Sequence, residues 1–147
     1  MIYKEDSILI NQNLARVFQV ACDIEKLSDF IPEYKNVKVI SREDNEMILE
    51  AKIQLLSLIP ITFTSSGIIK ENESIKYEQI KGPLKGLQTE WKFEEIDKKT
   101  KLSIIHILNI RIPLIGNLLE KLVYALFIKN LAQEVLLCMK KKLEENH

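Results

Sequence analysis

Hydrophobic and polar positions change period along the chain. Ser7 to Ile10 is a short apolar run that stops at Asn11 and Asn13, both good helix N-caps. We read residues 2–10 as a strand. Leu14, Val17, Phe18 and Ala21 then recur at helical spacing, which predicts a helix to about Cys22. Asp23 can cap a second short helix in which Ile24, Leu27, Phe30 and Ile31 recur, and Pro32 closes it.

After Tyr34 the period falls to two. Val37 and Val39 open a strand, and Asp44-Asn45 makes a turn. Met47, Leu49, Ala51, Ile53 and Leu55 share one face of the next strand. Beyond Pro60, Ile61, Phe63, Ser65, Gly67 and Ile69 share a face, followed after a turn by Ile75, Tyr77 and Gln79. Leu87, Thr89, Trp91 and Phe93 alternate after the Gly82-Pro83 break. Leu102, Ile104, His106, Leu108 and Ile110 form the last inward face. Ile105 and Ile107 would point outward, where they either meet a second subunit or flank the helices.

From Asn117 to Glu145 no Pro or Gly intervenes, which predicts one helix of about 29 residues, roughly 43 Å long. In its second half Leu131, Ala132, Val135, Leu136, Met139 and Leu143 fall on one arc, with polar residues opposite. In its first half that opposite arc holds Leu119, Leu122, Val123, Leu126 and Phe127. A helix apolar all round is enclosed on every side or faces something other than water.

The order is strand, two helices, six strands on short turns, one long helix. Tight turns make neighbouring strands antiparallel, so the fold class is α+β: a seven-stranded antiparallel sheet gripping the terminal helix. Ala51, Ser65, Gly67 and Thr89 on the inward face leave room under that helix. Either a cavity lies there or bulky neighbours fill it. For a cavity, the expected lining is Leu49, Ala51, Ile53, Phe63, Ser65, Tyr77, Thr89, Trp91, Ile104, His106, Leu108, Leu122 and Leu126, with Gln79 as a further polar contact. The expected rim is Leu56, Leu58 and Ile59 on an unusually apolar hairpin tip, with Leu119, Val123 and Phe127 on the helix.

Composition narrows the reading. The chain of 147 residues reads as one domain, and with 46% hydrophobic residues it can bury a substantial core. Aromatics are only 7%, so any pocket should be aliphatic. A formal net charge of +0 disfavours a nucleic-acid partner. Cys22 and Cys138 read as reduced thiols in two helices, and no CxxC or Cys/His cluster suggests a metal or cofactor. The N-terminal stretch does not read as a signal peptide, and no apolar run reaches the ~20 residues of a membrane span, so the chain reads as cytoplasmic. No paired inward carboxylates and no nucleophile–base set point to catalysis. His106 is the one near-neutral titrating group expected inside.

Three motifs in order carry a resemblance. Val17-Phe18, Asp23-Ile24-Glu25 and Phe30-Ile31-Pro32 open the chain. Gly82, Pro83, Leu84, Leu87, Trp91 and Phe93 follow at the expected spacing, and IPLIGNLLEKLV leads into the last helix. Together they resemble the polyketide cyclase and coenzyme Q-binding START-like proteins, over essentially the whole chain. Thr89 stands where that family carries a Gly. The resemblance implies a helix-grip fold around a hydrophobic cavity, in a superfamily of ubiquinone and lipid binders, ribosome-associated toxins, plant hormone and allergen proteins, and aromatase/cyclases. The expected function is a non-catalytic carrier for a quinone, isoprenoid or acyl lipid, with peripheral membrane contact and a homodimer as further expectations. A ribosome-associated toxin-like interaction protein and a polyketide aromatase/cyclase are the alternatives.

Overall fold

The computed structural model describes residues 1–56, 58–110 and 116–145. Strand β1 (Ile2–Ile10) leads into helix α1 (Leu14–Cys22) and a short 3₁₀ turn (Ile24–Asp29). Asn13 starts α1 by accepting the Arg16 backbone N–H on its side-chain oxygen at 2.9 Å. Six strands follow: β2 (Tyr34–Glu43), β3 (Glu46–Leu55), β4 (Ile59–Lys70), β5 (Ser74–Lys81), β6 (Gln88–Ile96) and β7 (Lys99–Leu108). The chain closes with α2 (Gly116–Val123), a π turn (Tyr124–Ile128) and α3 (Lys129–Glu144), which form one continuous rod.

The seven strands form one antiparallel sheet in the order β1-β7-β6-β5-β4-β3-β2. Register shifts within β2 and between Thr64 and Ser65 of β4 mark bulges, which bend and twist a sheet. The rod lies along the concave face. This is the helix-grip arrangement that the resemblance implies.

Two apolar clusters hold the layers together. The larger places Val135, Leu136, Met139 and Leu143 of α3 against Val17 and Phe18 of α1 and against Ile75, Trp91 and Leu102 of the sheet. Phe18 and Phe93 meet edge to face at 5.0 Å. The smaller cluster gathers Leu108, Tyr124 and Ile128, with Leu84, Leu87, Ile110 and Val123 packed against it. Cys22 and Cys138 are free thiols.

Three details differ from the sequence reading. Ile105 stands on the outer face yet is buried, set in register between Glu5 and Glu90, whose long side chains stand on either side. The buried positions of the rod step strictly by four through Gly116, Glu120, Tyr124, Ile128 and Ala132. The i→i+5 bonding of the π turn widens one turn and rotates everything before it, so the outward arc of α2 cannot be extrapolated from α3. Finally, the rod does hold a window with mean hydropathy 1.5 and no more than two charges, long and apolar enough by composition to cross a bilayer. The missing uninterrupted apolar run did not reveal it, because isolated charges barely lower a window average.

Candidate functional site

Between sheet and rod lies a cavity of about 150 Å³. Its walls follow from strand alternation. Every second residue of β3 faces inward, which brings Leu49, Ala51, Ile53 and Leu55 to the lining. Ile61, Phe63 and Ser65 continue it from β4. Tyr77 and Gln79 come from β5, Thr89 and Trp91 from β6, and Ile104 and His106 from β7. Phe127, Ile128, Leu131, Ala132 and Val135 of the rod form the roof. The half-exposed lining residues Ile61, Phe63, Leu84, Leu87 and Phe127 gather at one end of the sheet and mark the mouth.

One row of polar side chains crosses the otherwise greasy floor. Lys4 pairs in register with His106, His106 with Thr89, and Thr89 with Tyr77. Lys4 stands outside the cavity; strands lie about 4.8 Å apart, so His106, Thr89 and Tyr77 present hydrogen-bonding groups to it at a fixed step across three strands. Ser65 and Gln79 are register partners in the neighbouring row. His106 is buried, its Nδ1 has no hydrogen-bond partner, and burial pushes the imidazole down to about 4 against a weaker opposing pull from the Asp6 carboxylate. The ring is therefore neutral at pH 7. Burial likewise raises the phenols of Tyr34 and Tyr77 far above their ordinary value, so both stay protonated and able to donate.

Around the row the framework is tied by polar contacts. Tyr124 donates its hydroxyl to Asp6 Oδ2 at 2.6 Å, and the Lys4 ammonium stands 5.8 Å over the Tyr124 ring. Glu120 is buried. It accepts the Ile110 backbone N–H at 2.6 Å and pairs with the Met1 ammonium at 2.7 Å. That ammonium bond is the main cause holding the Glu120 carboxyl below the ordinary carboxylate range. At the mouth, Gln79 accepts the Leu84 backbone N–H on its side-chain oxygen at 2.7 Å, while its backbone bonds Gly86 and Leu87. Gly82 sits at φ +129°, and a Cβ there would meet Phe63 Cβ at 2.7 Å. The loop over the mouth is thus fixed by Gln79 and by the absence of a side chain at Gly82.

Of the expected lining, Leu49, Ala51, Ile53, Phe63, Ser65, Tyr77, Thr89, Trp91, Ile104 and His106 come together, with Gln79. Leu108, Leu122 and Leu126 do not. Leu108 belongs to the smaller apolar cluster, and the rotated phase of the rod turns Leu122 and Leu126 out to solvent. Phe127, expected on the rim, stands at the mouth and also closes part of the roof. Leu119 and Val123 are half-buried, Val123 against the smaller cluster, whereas Leu56, Leu58 and Ile59 stand exposed at the β3–β4 tip. Leu56 takes φ +52°, a conformation that suits glycine better than leucine. The sequence reading missed Leu55 and Ile61, which alternation could have supplied. It also missed Tyr34 and Val37 of β2, Ile24 and Leu27 of the 3₁₀ turn, Leu84 and Leu87 of the mouth loop, and Ile128, Leu131, Ala132 and Val135 of the rod, whose periods mark an apolar face without saying whether it meets the core or the cavity. No group of three His, Cys, Asp or Glu residues able to hold a metal occurs among the described residues.

Known proteins place this geometry. No curated protein matches the sequence. A protein from Thermus thermophilus shares the fold with a TM-score of 0.83 at 17% identity, over 97% of each chain. The Zhui aromatase/cyclase from a Streptomyces species does so with 0.80 at 13% identity, over 97% of this chain and 93% of its own. A START superfamily protein from Mycobacterium smegmatis gives 0.80 at 12% identity, over 99% of both chains. At such identities the likeness establishes the helix-grip fold of the START and Bet v 1 type. The profile of the family described as polyketide cyclase / dehydrase and lipid transport matches residues 10–133, and the chain belongs to that family.

Proposed function

We propose that this protein binds and carries a small hydrophobic molecule bearing at least one oxygen: a quinone, an isoprenoid alcohol or an acyl lipid. The observation that carries the reading is the cavity itself, apolar on its walls and roof and crossed by the His106–Thr89–Tyr77 row. Its lining is not the purely aliphatic one that composition led us to expect, because Tyr34, Phe63, Tyr77, Trp91 and Phe127 gather there. Apolar walls supply affinity and a few polar groups set orientation. A cavity of about 150 Å³ suits a single ring or a short branched chain. A longer tail would pass out through the mouth between Ile61, Leu84 and Phe127.

The test is direct. Trp91, the chain's single tryptophan, lines the cavity, so a bound quinone should quench its fluorescence. Saturable quenching by a short-chain ubiquinone analogue supports the reading. A clean unliganded mass after gentle purification, together with no quenching, defeats it.

A second reading, cyclisation of a polyketide-like substrate, is favoured by one observation: neutral His106 sits in the cavity beside Thr89, two strands from the Tyr77 phenol. No carboxylate lines the cavity among the described residues, which leaves the imidazole without the usual second titrating partner. Turnover of a candidate substrate that is lost in His106→Ala would favour this reading over carriage.

A further inference from the structure

We propose that the end of the molecule around the cavity mouth docks on a membrane surface rich in anionic phospholipid. Register places the β3–β4 tip, the β5–β6 loop and the exit from β7 at the same edge of the sheet, because Leu55 faces Ile59, Thr64 faces Lys81 and Gln88 faces Ile107. The rod starts at this end. Along its outward side Leu118, Leu122 and Leu126 recur every four residues, 59%, 45% and 54% exposed, and Leu58 at the hairpin tip is 80% exposed. Large aliphatic side chains so exposed in a row mark a contact surface.

Charge identifies the partner. The chain as a whole carries 21 basic and 21 acidic residues. Residues 51–63, 79–89 and 116–133, which build this end, carry five exposed lysines: Lys52, Lys81, Lys85, Lys121 and Lys129. The acid within these segments, Glu120, is buried against the Met1 ammonium. The neighbouring chain adds Glu78 opposite Gln88 and Glu33, whose carbonyl accepts the Gln54 N–H, so lysines still outnumber acids at this end. A neutral protein has thus gathered cations around an apolar strip. Leucines flanked by lysines match a bilayer whose headgroups are negative and whose interior is apolar. The same arrangement disfavours a second copy of this chain, since a two-fold contact would set lysines against lysines. α3 keeps Val135, Leu136, Met139 and Leu143 in the protein core and leaves Leu137 exposed, so most of the rod's apolar surface is committed to the fold and the contact is peripheral. None of this depends on what occupies the cavity.

Flotation of the whole chain with vesicles tests the proposal. Binding is expected to phosphatidylcholine mixed with phosphatidylglycerol, to weaken as salt rises, and to be much weaker on phosphatidylcholine alone. Lys85→Gln and Lys121→Gln should each weaken binding about fivefold. Leu122→Glu and Leu126→Glu should abolish it with unchanged thermal melts, because both side chains are exposed. Absence of binding to mixed vesicles, equal binding to neutral ones, or a concentration-dependent dimer that Leu122→Glu converts to monomer would overturn it. Trp91 quenching in vesicle-free solution reads cavity binding separately, so failure of one reading is distinguishable from failure of the other.

Discussion

Tyr124 on the π turn and Asp6 on β1 are joined by a 2.6 Å hydrogen bond that spans 118 residues of sequence. It fastens the rod to the sheet where the helix changes phase. The acceptor is a carboxylate, which makes such a bond stronger than a neutral one. Tyr124→Phe should cost about 1.5 kcal/mol in denaturant unfolding and leave the far end of α3 untouched in hydrogen exchange. Equal stability of the two proteins would show that the bond contributes nothing net.

His106 predicts an acid-side loss of stability. Its folded pKa is about 4 against 6.5 for the free side chain, so the unfolded chain binds a proton that the folded chain does not. The contribution is fully present above pH 6.5 and is lost as pH falls from there toward 4, up to about 3 kcal/mol. His106→Leu should remove this part of the slope. The Glu120 carboxyl, held low, acts in the same direction at lower pH: its share disappears as pH drops below the ordinary carboxylate value. Chemical denaturation at stepped pH separates the two windows.

Ligand binding should respond to shape and to the polar row separately. Ala51→Phe puts a ring into the cavity and should abolish Trp91 quenching while the fold persists. Tyr77→Phe and Thr89→Val keep the shape and should each weaken an oxygen-bearing ligand about fivefold to tenfold. A purely aliphatic ligand should be insensitive to both.

The mouth loop should be brittle. Gly82→Ala forces a Cβ onto Phe63 at a φ that alanine disfavours, and we expect at least about 1 kcal/mol of destabilisation. Gln79→Leu strands the Leu84 N–H and should raise proteolytic nicking at the β5–β6 loop before global stability falls much. Unchanged nicking would mean the loop is held by Leu84 and Leu87 packing alone.

The strands and the floor of the cavity are legible in the sequence because period-two alternation places residues such as Leu49, Ala51 and Ser65 on a face without knowledge of their neighbours. The departures lie where a period marks an apolar face but not what that face meets, or where a bulge or a change of helix type shifts it. Tyr34 enters the lining through a bulge, and Ile24 and Leu27 through a 3₁₀ turn. Leu122 and Leu126 read as inward because apolarity alone cannot tell a buried arc from an exposed one. A π turn leaves no mark in composition, so the phase of the rod stays hidden, and with it the exposed leucine strip.

The sheet order carries a consequence for biogenesis. β1 has one partner, β7, with Ile2 opposite Leu108 and Ile10 opposite Thr100. During translation β1 therefore leaves the ribosome long before anything exists for it to pair with, while β2 to β6 close locally through short turns. Its edge waits as an unpaired template until β7 arrives, which makes a nascent chain stalled before Thr100 the species most in need of a chaperone.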